Sequence, residues 1–85
     1  MGQSTSEKLE LMKSVLVKME DLQNSQQSLI SKIGQIEVQL FDLNSPDLDK
    51  ELGKVIDRAS QTLNIIEEAR SNFQEKRDNL AKGAA

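Results

Sequence analysis

Asn44-Ser45-Pro46-Asp47 holds the only proline of this 85-residue chain, and apolar residues run away from it in both directions at coiled-coil spacing. Backward, the series is Leu43, Leu40, Ile36, Ile33, Leu29, Gln26, Leu22, Met19, Val15 and Met12. Forward, it is Leu48, Leu52, Val55, Ala59, Thr62, Ile66, Ala69, Phe73, Lys76 and Leu80. Steps of three and four alternate without a break in each, the spacing that keeps one stripe of a helix facing a neighbour. Folding the chain at the proline brings the series together layer by layer, Leu43 with Leu48, Ile36 with Val55, Ile33 with Ala59 and Leu22 with Ala69. The pattern predicts an all-α fold: a two-helix antiparallel coiled-coil hairpin, completed to a four-helix bundle by self-association or by a partner.

The boundaries follow from local chemistry. Residues 1–5 are small and polar and are expected to be disordered. Ser4 and Glu7 have capping-box spacing, with Ser6 a competing cap, so the first helix is placed at 6–43. Residues 44–47 form the turn. Pro46 suits the first helical position, where its missing N–H is no loss, and Ser45 precedes it as a cap. The second helix is placed at 48–82, with Asp47, Asp49 and Glu51 near its positive end and Gly83 as its stop. The polar run Gln23-Asn24-Ser25-Gln26-Gln27-Ser28 is a weak point for a helix of roughly 55–60 Å. A loop there would give three helices, at 6–22, 29–43 and 47–82. The heptad register passes through unshifted and the run has no glycine or proline, so an unbroken helix is the simpler reading.

Composition narrows the chemistry. The chain has no histidine and no cysteine, and therefore no imidazole base, thiolate nucleophile, disulfide or zinc–thiolate site. Its net charge is −3, whereas nucleic acid calls for a concentrated basic surface. The basic cluster Arg70, Lys76, Arg77 and Lys82 is interleaved with Glu67, Glu68, Glu75 and Asp78. Asp47-x-Asp49-x-Glu51 suggests calcium, but the sixth and twelfth positions of such a loop are Leu52 and Arg58, not glycine and glutamate. No phosphate loop is present, and no serine has a histidine to activate it. The expectation is a protein that is not an enzyme, with no cofactor and no metal. Without an apolar run of about 18 residues there is no integral membrane segment, and the expected location is cytoplasmic.

Two stretches carry functional expectations. With Met12, Met19, Gln26, Ile33 and Leu40 as heptad position a, the a and d residues are assigned to the seam between the helices. Leu9, Leu16 and Ile30 of the first helix then share an e-side flank with Ile56 and Leu63 of the second. That flank is the expected interface, facing either another copy or other coiled-coil subunits, while the g side is mostly polar. Gln26, a polar residue in an a layer, is expected to set register or specificity. Met1-Gly2-Gln3-Ser4-Thr5-Ser6 also fits the myristoylation pattern, which would acylate Gly2 and allow peripheral membrane contact, although one acyl chain anchors weakly without a second signal.

Length, a single turn proline and acidic balance make the chain similar to the helical hairpins of type III secretion needle subunits and their small cytoplasmic co-chaperones. It resembles equally the short coiled-coil subunits of eukaryotic organelle-positioning complexes. No motif carries either likeness. What they imply is a non-enzymatic assembly or scaffold subunit that binds helices, or else a small co-chaperone or adaptor of a secretion or organelle-associated complex.

Overall fold

The computed structural model describes residues 4–83. The acylation pattern at Gly2 falls outside the described residues. Helix α1 spans Thr5–Leu43 and helix α2 spans Pro46–Gly83. They lie against one another as a hairpin with Cα extents of 61 × 21 × 15 Å. Helix α1 runs through residues 23–28 without interruption, so the three-helix alternative does not occur.

Each boundary has a local cause. Ser4 has extended backbone angles, and its Oγ accepts the Glu7 N–H at 3.2 Å, which starts α1 one residue earlier than expected. The turn is shorter than 44–47. Asn44 adopts φ 49° and ψ 60°, and its N–H donates to the Leu40 carbonyl at 2.9 Å. This left-handed residue closes α1, and asparagine is among the few non-glycine residues that adopt that conformation readily. Two residues later α2 is under way, Pro46 being its first residue and the Asp49 N–H donating to the Ser45 carbonyl at 3.1 Å. Two residues, Asn44 and Ser45, therefore reverse the chain.

Among the described residues the buried ones are Ile33, Leu40 and Ala59, at 4, 8 and 5% exposure. They lie in the tip half of the hairpin. Complete burial of an aliphatic side chain stabilises by about 1.5–3 kcal/mol, so this core holds two helices together with little to spare. Gly34 and Gly53 sit in helix interiors, and a Cβ at either would meet nothing within 4 Å. The hairpin itself does not require glycine at these positions.

Two tests follow from the geometry of the tip. Asn44→Gly should leave the denaturation midpoint within a few tenths of a kcal/mol of wild type, while Asn44→Val should lower stability by roughly 1–2 kcal/mol because a β-branched residue is strained at positive φ. Gly34→Ala and Gly53→Ala should each raise stability by about 1 kcal/mol through helix propensity. A thermal melt of the double variant that falls below wild type would show that something outside the hairpin needs those two positions bare.

Candidate interaction surface

Burial along the two helices shows which stripe each presents to the other. On α1 the half-buried and buried large side chains are Leu9, Met12, Leu16, Met19, Gln23, Gln26, Ile30, Ile33, Glu37 and Leu40. On α2 they are Leu52, Ile56, Leu63, Ile66, Arg70, Phe73, Arg77 and Leu80, with the small Ala59 among them and with Gln74 and Asp78 half-buried beside the stripe. The stripes occupy heptad positions a and e. The seam was expected at a and d, so each helix is turned by roughly 50°, half the angle between consecutive residues.

The expected interface residues therefore have a different place. Leu9, Leu16, Ile30, Ile56 and Leu63 lie half-buried between α1 and α2, not on an outward flank. The physical reason is most visible on α2. Its e positions offer Ile56 and Leu63, whereas its d positions beyond Val55 are Thr62, Ala69 and Lys76. The turn also brings Arg70 to Gln23 across the seam, although on α1 it leaves the more apolar d stripe outside.

The turn leaves the d positions outside. Leu22 is 56% exposed and Leu43 72%, and Val15, Leu29, Ile36, Leu48 and Val55 are exposed as well. In an antiparallel pair the same heptad position of both helices falls on the same side. These residues therefore form one apolar flank running much of the length of the hairpin, with Leu11 and Ile65 extending it at g positions. The opposite flank carries Gly34 and Gly53 and is polar over most of its length. Near the tip it bears Val38 and Phe41, the latter 89% exposed.

Polar side chains cross the seam in its middle. Gln26 is part-buried and its Nε2 donates to the Ala59 carbonyl at 3.1 Å. That carbonyl lies within a helix and uses its second lone pair for the glutamine. Arg70 donates from Nη1 to Gln23 Oε1 at 2.7 Å and reaches Glu20 Oε2 with Nη2 at 3.7 Å. Both ends of the ion pair are partly open to solvent, where such pairs contribute about 0–1 kcal/mol, so their value lies in direction more than in strength. Arg77 lays its stem along the seam with Nε buried and unbonded, and its Nη1 donates to Asp78 Oδ1 at 3.3 Å.

A shallow groove at the tip, between Gly34, Phe41, Pro46 and Asp49, carries the carboxylates of Glu37 and Asp49 as the charges on its lining. No three metal-ligating side chains gather among the described residues, and no described helix is long and apolar enough to cross a membrane. Comparison with known protein families, curated proteins and solved structures finds no match to this chain.

The d flank could have been found in the sequence. A strict two-stranded coiled coil has apolar residues at two heptad positions, whereas here a, d and e are all substantially apolar, the wider stripe of a helix with more than one neighbour. Which of the three positions stays uncovered in the hairpin is not written in that periodicity.

The Gln26 contact makes a sharp comparison possible. Gln26→Leu should stay within about 1 kcal/mol of wild type, since the Ala59 carbonyl keeps its bond within the helix. Gln26→Glu cannot donate at neutral pH and sets a carboxylate against that carbonyl, which should cost roughly 1–3 kcal/mol in urea denaturation. Equal midpoints for the two variants would mean that the hydrogen bond has no energetic role.

Proposed function

We propose that the protein is a non-enzymatic helical assembly subunit, working in the cytoplasm, whose activity is to bind other helices through the d flank. One observation carries this reading: the exposed stripe Val15, Leu22, Leu29, Ile36 and Leu43 beside Leu48 and Val55. Contiguous apolar surface of this extent is rare on a monomer and marks a place where another molecule lies.

The accessible area supports it. The chain exposes 6669 Å² at a mass of 9.5 kDa, whereas a compact monomer of that mass exposes about 5,000 Å². The difference of roughly 1,600 Å² exceeds the ~800 Å² that each side of a standard interface gives up. Gln26 and Arg70 fit the same reading as register devices, since their cross-helix bonds favour one alignment of α1 against α2 and so one shape of the flank.

The test separates the flank from the seam. Ile36→Glu with Val55→Glu should abolish association in native mass spectrometry of material purified from its source, while Asn24→Glu with Asn64→Glu, the same charge on solvent-facing positions, leaves it intact. Ile30→Glu with Leu63→Glu, inside the seam, should instead remove cooperative unfolding altogether. Wild type that emerges as a lone chain, or a flank variant that keeps every association, would refute the assignment.

A further inference from the structure

Building on the reading of the d flank as a helix-binding face, we infer that its occupant is a second copy of this chain, packed with the two hairpin tips at the same end around a two-fold axis along the bundle. The flank runs along α1 from Val15 to Leu43, about 42 Å at 1.5 Å per residue, with Leu48 and Val55 of α2 beside it near the tip. The surplus of exposed surface, roughly 1,600 Å², is large enough for an occupant that covers this full length and presents an apolar face of its own. A second copy does so by construction. In the resulting four-helix bundle a and d point to the common axis and e packs within each hairpin, which gives every apolar heptad position a place in the interior.

Side-chain volume selects the orientation. Along the d stripe α1 carries large residues, Leu22, Leu29 and Ile36, while at the same levels α2 carries smaller ones, Ala69, Thr62 and Val55. With the tips together, α1 of one copy lies against α2 of the other, and Leu22, Leu29 and Ile36 each meet a smaller residue, as interdigitated layers require. Leu43, 72% exposed in the hairpin, then packs on Leu48 of the second copy. Lys76 falls at the open end, where its ammonium group reaches water.

With the tips opposed, α1 lies against α1 and α2 against α2. Large then meets large, small meets small, and Lys76 is set against Leu48 or Val55 of the second copy, depending on register. The flanking cations do not discriminate, since Lys32 lies opposite Arg58 of the second copy in one arrangement and opposite Lys18 in the other.

The absence of cysteine from the sequence permits clean single labels. Lys50→Cys near the tip and Lys82→Cys near the open end are both exposed, and each would carry a nitroxide in otherwise wild-type protein. Sedimentation equilibrium should return twice the 9.5 kDa chain mass. Pulsed dipolar spectroscopy should give intermolecular distances under about 35 Å at both positions with the tips together, against roughly 45 Å or more at both with the tips opposed, from the 1.5 Å rise per residue. A dimer with two long distances overturns the tips-together pairing and leaves the flank as a helix-binding face. A chain that stays monomeric at 100 μM overturns self-pairing and points to a different partner. A dimer that persists in the Ile36→Glu, Val55→Glu variant overturns the pairing and the functional reading together.

Discussion

Two helices share one line of contact, and here that line must serve three apolar heptad positions. A helix in a simple hairpin has a single neighbour and can turn only one part of its surface toward it. In this chain positions a, d and e are all rich in Leu, Ile, Val and Met. The hairpin resolves the conflict by burying a and e and leaving d in water. The rest of the structure depends on that choice: the thin core of Ile33, Leu40 and Ala59, the exposed flank, and the large accessible area for the mass.

The seam is uneven along its length. Toward the tip it holds the buried Ile33, Leu40 and Ala59, with Glu37 half-buried beside them. In its middle it becomes polar through Gln23, Gln26 and Arg70, which trade packing for directed bonds. Such bonds are weak relative to aliphatic burial, but they are geometrically demanding. A slip of one turn would cost little packing among interchangeable aliphatic residues, while it would break the bond to the Ala59 carbonyl and separate Arg70 from both Gln23 and Glu20.

The turn adds a second constraint on register. Asn44 in the left-handed region and Pro46 as the first residue of α2 leave two residues for a full reversal. A connection that short admits few relative placements of the helices it joins. Level pairing of Leu43 with Leu48 follows from it, and so does the side on which the d stripes of both helices emerge.

By itself the sequence determined the helices, their antiparallel pairing, the place of the reversal and the heptad register. Each of these depends on local chemistry: capping at Ser4, the fixed φ of Pro46, and apolar steps of three and four. The same reasoning assigned Leu9, Leu16, Ile30, Ile56 and Leu63 to an outer flank and the d residues to the seam, and tertiary structure exchanged the two. Heptad spacing is identical for an a/d pair and an a/e pair, so periodicity alone cannot distinguish them. What tertiary structure adds is contact between the helices, such as Arg70 with Gln23 and Gln26 with the Ala59 carbonyl, and those contacts exist only when the chain is folded back on itself.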